Sequence, residues 1–268
     1  MGRGRFNLLF YYGIAYLVFL YAPVLLLPMF SFNDSIYVAF PFKGFTFKWY
    51  EQMAASAGLT SAFWNSVKVG TGVAVVSTIF GLLGAKAVTR YRLPWSGPVT
   101  GMIMLPLVIP GIVIGVALLS IIRKVFDLEL SLLTISAGHV LVCTPFAMMV
   151  LMSRLEGFDK SLEEASLDLG ENGWRTFWRV TFPLALPGIV ASLLLCFTTS
   201  FDEFILAFFL AGNEVTLPIY IWGQLRFPNR LPATLALGSC ILLGSFVIVT
   251  FSEWLRRRGA KSALPAGL

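Results

Sequence analysis

Two groups of residues in this 268-residue chain combine types and spacings that could do chemistry. The first is an adjacent pair of acids, Asp202 and Glu203, between the run SLLLCFTTS and the run ILAFFLAG. An Asp near a bilayer centre costs about 2.5–3.5 kcal/mol on insertion scales, so carboxylates in such a setting face a bundle interior or a watery cavity. Their chemistry would be electrostatic: attraction of a cationic solute, or an internal ion pair with Lys68 or Lys86. Adjacent residues on a helix point about 100° apart, so one acid could line a pathway while the other pairs with a neighbour, and which does which stays open. Downstream, Tyr220 and Trp222 could stack on or gate a solute, or anchor the chain at a membrane interface.

The second group lies in Gly157–Gly188, the only long polar interval of the chain. Ser161 followed three residues later by Glu164 is a capping-box pattern. It predicts a helix running to Leu169, with Leu162, Ala165, Leu167 and Leu169 supplying its apolar contacts. Gly170 then stops it, since glycine takes the left-handed conformation found just past helix ends. Asn172 and Gly173 prolong the bend, and Trp174, Phe177 and Trp178 fall at helical spacing on one face of a second helix, with Arg175 and Arg179 nearby. Pro183 and Pro187 are expected to end that helix and begin the next membrane span. The result would be a helix-turn-helix knob with an aromatic face. A solvated charged loop is the plainer reading.

The elements that must position these groups follow from composition. With 57% hydrophobic and 13% charged residues and a mean hydropathy of +0.80, the chain reads as a polytopic membrane protein. The first run, from about Leu8 to Phe32, is longer than the ~7–15 apolar residues of a signal peptide and is read as an uncleaved span. Six spans are expected near 8–32, 63–88, 96–122, 131–152, 184–210 and 232–255, with the knob at 157–183, all in one domain covering 1–268. The termini and even-numbered loops, Arg92 included, carry twelve Lys and Arg against six in the odd-numbered loops. That asymmetry places both termini and the knob in the cytosol. The net charge of +6 shows no basic stripe or nucleic-acid motif, and topology explains it.

Other features weigh against alternative chemistries. Cys143, Cys196 and Cys240 lie in apolar stretches without metal-ligand spacing, and His139 stands alone in an apolar setting. GLLGAK at Gly81–Lys86 lacks the spacing of a phosphate loop, so any ATP must be bound by another chain. The second span opens with Asn65-Ser66 and carries Gly70, Gly72, Gly81, Gly84 and Ala85, which suits close helix packing. In the third span, LPLVIPG forces a kink or break, either lining a pathway or packed internally. The external segment Ser31–Ala62, with its GFTFKWY run, is either an ordered cap or a partner contact. The terminal run Arg256–Arg258 reads as a stop signal facing anionic lipid.

The spacing inside the knob adds a family. Glu164-Ala165-Ser166, three residues, Gly170, nine residues, Val180, one residue, Phe182-Pro183 resembles the EAA signature of bacterial ABC-importer permeases, with Ser166, Val180 and Phe182 as conservative departures. Together with GFTFKWY, SRLEGFD, the acidic pair and LPIYIWGQLR, it makes the chain similar, from about Phe6 to Trp254, to the second permease subunit of spermidine/putrescine importers. The resemblance implies an all-α membrane protein of six transmembrane helices, with the type I ABC importer permease fold and a cytoplasmic coupling helix. It assigns Glu163, Glu164, Ala165, Asp168 and Gly170 to coupling geometry and Trp174, Phe177 and Trp178 to docking on an ATPase. Asp202 and Glu203, with Tyr220 and Trp222, become substrate-pathway candidates.

The implied partners are a homologous permease forming a heterodimer, two ATPase subunits that hold ATP and Mg, an extracytoplasmic solute-binding protein and the lipid of the bacterial inner membrane. The chain itself would be non-catalytic, bind no cofactor, metal or nucleic acid, and work by alternating access. Related permeases carry other amines, amino-acid-like solutes, opines or ferric iron, which leaves the solute open. A secondary transporter would show an internal repeat or further intramembrane charges, and an intramembrane enzyme a nucleophile with a base or metal; neither pattern is present in the sequence.

Overall fold

A bilayer supplies no water to backbone N–H and C=O groups, so spanning segments must pair them internally as helices. The computed structural model describes residues 3–91 and 95–262, and apart from one isolated antiparallel bridge between Asn33 and Phe45 the regular structure of the described residues is helical. Arg92, and the side chains of Arg3, Arg5, the Arg256–Arg258 run and Lys261, lie outside what it describes. In chain order the helices are α1 (Arg3–Ser31), α2 (Lys48–Ala54), α3 (Ala57–Arg90), α4 (Ser96–Met104), α5 (Gly111–Lys124), α6 (Leu132–Glu156), α7 (Ser161–Asp168), α8 (Gly173–Thr176), α9 (Phe182–Asp202), α10 (Ile205–Leu210), α11 (Leu217–Leu225) and α12 (Leu231–Ser262).

Among the described residues, five stretches are long and apolar enough to cross a membrane: Leu8–Ser31, Ala57–Arg90, Leu132–Glu156, Gly173–Asp202 and Pro228–Val247. The span expected at 96–122 is broken at LPLVIPG, as its two prolines require. α4 and a 3-10 turn at Leu105–Leu107 meet α5 at a 98° bend. Pro106 opens the turn and Pro110 caps α5 in an extended conformation, so the two missing donors fall where the helix has stopped. At ~1.5 Å per residue the 14 residues of α5 cover about 21 Å, short of a ~30 Å hydrocarbon core.

The chain forms two compact units, residues 1–57 with 221–268 and residues 58–220. In the first, α12 packs against α1 and α2. The GFTFKWY run there is an ordered aromatic cluster: Phe32 stacks on Phe45 and Tyr50, the buried Trp49 donates its indole N–H to the Asn33 carbonyl at 2.8 Å, and Phe45 and Phe47 stay exposed.

In the second unit α6 runs along α9, and α5 packs on α10. Val73, Ile135, Cys143, Ala147, Cys196, Ala207 and Leu210 form its centre, and Ala85, Met148, Leu151, Leu155 and Ala185 a second cluster. The small residues of α3 permit that contact, since a Cβ at Gly81 would lie 2.6 Å from Ala147 Cβ. Gly72 is different: nothing lies within 4 Å of where its Cβ would be. Buried polar groups bond across helices, Thr78 Oγ1 to Ser192 Oγ at 3.2 Å and His139 Nδ1 to Ser200 Oγ at 2.8 Å, so His139 is a structural residue between α6 and α9. Cys143 and Cys196 are buried free thiols.

Candidate functional site

The knob forms as two short helices around a bend, with corrections of detail. α7 is not capped by a Ser161/Glu164 box. Asp159 Oδ1 accepts the Ser161 N–H at 3.0 Å, and this holds the exposed Asp159 carboxyl below its ordinary range. Gly170 adopts φ +87°, its N–H reaching the Leu167 carbonyl at 2.9 Å and the Glu171 N–H the Ser166 carbonyl at 3.2 Å. That pair of bonds is a Schellman closure. Asn172 then caps α8 by accepting the Arg175 N–H at 2.9 Å. The prolines do not end the second helix. A π-helical turn at Phe177–Thr181 carries the chain from α8 into α9, Pro183 sits in the first turn of α9 and Pro187 lies within it.

One ion pair ties the knob to the membrane helices. Arg90, at the end of α3, places Nε 3.2 Å from Glu163 Oε2, and their side chains are only 6% and 15% exposed. Arg90 Nη2 also donates to the Leu155 carbonyl at 2.8 Å and to the Phe158 carbonyl at 3.4 Å, and the guanidinium lies 4.5 Å from the centre of the Phe158 ring. Thr181 Oγ1 donates to Glu163 Oε1 at 2.5 Å. The two limbs of the knob are joined by Ser166 Oγ and Thr176 Oγ1 at 3.0 Å, and Glu171 pairs with Arg179 and, at 3.6 Å, with Arg175.

The expected apolar contacts of α7 point outward. Leu162 and Leu167 are about half exposed, Leu169 is 86% exposed, and Trp174 and Trp178 are exposed beside them. Phe177 joins them in the expected aromatic cluster, 6.4 Å from the Trp174 ring and 5.2 Å from the Trp178 ring, but is its half-buried member, with Phe182 beneath it and the Lys86 Nζ 4.7 Å from its ring. Ala165 and Asp168 are exposed. Glu163 and Glu164 line a cavity of about 220 Å³ with Lys86, Arg90, Lys160 and Thr176. Nothing local in the sequence marks the pairing of Arg90 with Glu163, 73 positions away.

The acidic pair does not sit inside a continuous helix. α9 ends at Asp202, Glu203 is extended at φ −71° and ψ 112°, and its Oε1 accepts the N–H groups of Ile205 at 2.9 Å and Leu206 at 3.1 Å. Glu203 is therefore the cap that starts α10. Asp202 is exposed. The expected internal pairing with Lys68 or Lys86 is absent among the described residues, where no salt bridge includes either acid.

Tyr220 and Trp222 stand half-buried on α11, between the spans expected at 184–210 and 232–255. Ser66 Oγ accepts the Leu217 N–H at 2.8 Å and Asn65 Nδ2 donates to the Val215 carbonyl at 3.1 Å, which accounts for the Asn65-Ser66 pair, set in the third turn of α3 and not at its start. The Arg226 guanidinium stacks 3.7 Å over the Trp222 ring. Among the described residues no group of three His, Cys, Asp or Glu could hold a metal ion.

Comparison with known proteins makes the class of this helical, membrane-spanning chain definite. Residues 77–261 match the family described as binding-protein-dependent transport system inner membrane component, and the chain belongs to that family. Among curated relatives it is 33% identical to the putrescine transport system permease protein PotI of Escherichia coli (strain K12) over 243 residues, 88% of this chain and 85% of the relative. It is 32% identical to the spermidine/putrescine transport system permease protein PotC of Haemophilus influenzae, over 90% of this chain and 93% of the relative. In fold it is similar to a chain of a bacterial ABC transporter involved in import of the acidic polysaccharide alginate, at a TM-score of 0.74 and 16% identity, covering 95% of this chain and 98% of that one. It is also similar to a chain of the MetNI methionine ABC transporter, at a TM-score of 0.58 and 16% identity, covering 77% of this chain and 96% of that one.

Proposed function

We propose that this chain is the transmembrane permease subunit of an ATP-driven, binding-protein-dependent importer of polyamines. The observation that carries the coupling role is the knob's outer face, where Leu162, Leu167, Leu169, Trp174 and Trp178 expose apolar surface on the one polar interval of a membrane chain. Such a patch on a polar segment fits a protein partner. The Arg90–Glu163 pair gives it a stiff connection to α3 and α6. In this reading Glu164, Ala165 and Asp168 flank the face, Gly170 sets the angle between its limbs, and an ATPase subunit docks there. ATP and Mg belong to that ATPase, and this chain performs no bond chemistry.

The solute class rests on two supports. Relatives about a third identical are putrescine and spermidine/putrescine permeases, and Asp202 presents an exposed carboxylate at a helix break between apolar runs. We assign Asp202 to attracting the cationic solute and Glu203 to holding α10. Residues 1–268 act as one permease domain, paired with a homologous permease, two ATPase subunits and an extracytoplasmic binding protein. The knob and both termini lie in the cytosol. Alternating access then requires nucleotide and loaded binding protein each to favour one state, since equal affinity for both shifts nothing.

The test is disulfide trapping between single cysteines placed at Trp174 or Leu169 and cysteines on the ATPase of the co-expressed complex, with a cysteine at the far end of α12 as control. Cross-links at the knob that change with ATP support the reading. Efficient cross-linking of the control alone would contradict it.

A further inference from the structure

Seventeen residues of α3, Val69–Ala85, carry no charge, and Lys68 and Lys86 close the run at its two ends. Eighteen residues at ~1.5 Å each put the two lysines about 27 Å apart along the helix, close to the ~30 Å of a hydrocarbon core. Lysines so placed carry their ammonium groups to the two membrane interfaces. Lys86 is occupied on the Phe177 ring. Lys68 is exposed, and among the described residues no hydrogen bond or ion pair holds it.

Beside Lys68 a cavity of about 350 Å³ runs between α3 and α6, lined by Lys68, Gly72 and Val76 on one side and by Leu133, Ser136 and Val140 on the other. Leu133 and Ser136 belong to the first two turns of α6, so the cavity opens at the same interface that Lys68 marks. The residues at 68, 72 and 76 lie four apart on one face and lead from the interface into the apolar run. Gly72 leaves the trough open, with nothing within 4 Å of its Cβ position. Its polar groups are at one end only: the Lys68 ammonium, and the Ser136 hydroxyl, which donates to the Leu132 carbonyl at 2.8 Å and keeps its lone pairs for another donor.

We propose that this groove binds a phospholipid with an anionic headgroup, its phosphate on Lys68 and one acyl chain lying over Gly72 and Val76. An unpaired cation at the hydrocarbon boundary complements an anionic head, and an open apolar trough running inward from it complements a chain. In the topology proposed above the lipid belongs to the outer leaflet. The site is independent of which solute the complex carries.

The test uses the chain purified with its native partner subunits and placed in nanodiscs of equal phosphatidylglycerol and phosphatidylethanolamine. Native mass spectrometry then counts the lipid retained on detergent release, and a photo-reactive benzoylphenylalanine at Val76 reports what occupies the groove. Phosphatidylglycerol is expected in excess, with photo-adducts of lipid mass. Lys68→Gln should lower the preference for phosphatidylglycerol about fivefold, the effect of one basic residue at an anionic surface, and Lys68→Arg should keep it. Gly72→Leu, whose side chain enters open space, should abolish both retention and lipid adducts without disturbing assembly. Unchanged retention in Lys68→Gln and Gly72→Leu, or adducts carrying a polypeptide in place of lipid, would overturn the proposal. All of these readouts are made without transport, so a wrong solute assignment leaves them intact.

Discussion

Cutting the Arg90–Glu163 tie should loosen the knob by an amount that depends on which partner is removed. Breaking a buried ion pair from one side costs about 3–5 kcal/mol, because it strands the other charge. Arg90→Ala leaves Glu163 with Thr181 alone and takes the donor from the Leu155 and Phe158 carbonyls. The 15% exposure of the Glu163 side chain gives the stranded carboxylate some water, so the lower end applies, about 3 kcal/mol. Glu163→Ala leaves Arg90 on its two carbonyls and the Phe158 ring and should cost less, about 2 kcal/mol. Amide hydrogen exchange across residues 161–168 reads both. Opening should become about 150-fold more frequent in Arg90→Ala and about 30-fold in Glu163→Ala. The double variant should fall short of the sum by about 1–2 kcal/mol, since the two residues share one interaction. Unchanged protection in both single variants, or strict additivity, would refute the tie.

Gly170→Ala meets no steric contact, so its whole cost of about 1–2 kcal/mol is the left-handed backbone at φ +87°, read as loss of protection at the α7 end; equal protection would mean that the bend relaxes freely. Asp202→Asn should raise KM for a polyamine while leaving thermal stability unchanged, whereas Glu203→Ala, which strips two N–H groups of their acceptor, should lower stability by about 1 kcal/mol and Glu203→Gln much less. As pH falls through the ordinary carboxylate value of 3.8 and below it, protonation of Asp159 should remove the cap on α7; Asp159→Asn should flatten that part of the pH profile of exchange at Ser161.

The knob was legible in the sequence because its signals are local: a glycine one step past a helix end, Asn before the second helix, a polar interval between apolar runs. Orientation within it was less so. Leucines at helical spacing ordinarily pack inward, yet here their face turns outward because Glu163 and Thr176 take the inward positions. Asp159 displaced Ser161 as the cap since both types compete for the same N–H groups. Prolines 106 and 110 announced a break, but the 98° angle depends on packing they do not encode. Nothing at Asp202-Glu203 announces a helix end, as neither Gly nor Pro is present, and Glu203 found its role only through the two N–H groups that follow. The Arg90–Glu163 and Ser66–Leu217 contacts join residues far apart in sequence, where spacing carries no signal.

In the proposed function this chain passes polyamines under the drive of an ATPase docked on its knob. Uptake into right-side-out vesicles holding the complete complex, with the binding protein outside and ATP inside, tests it most directly. Putrescine or spermidine should accumulate only with ATP, and Trp174→Ala with Trp178→Ala should abolish accumulation while leaving the chain in the membrane. Accumulation that proceeds without ATP, or ATP-driven uptake untouched by the double substitution, would contradict it.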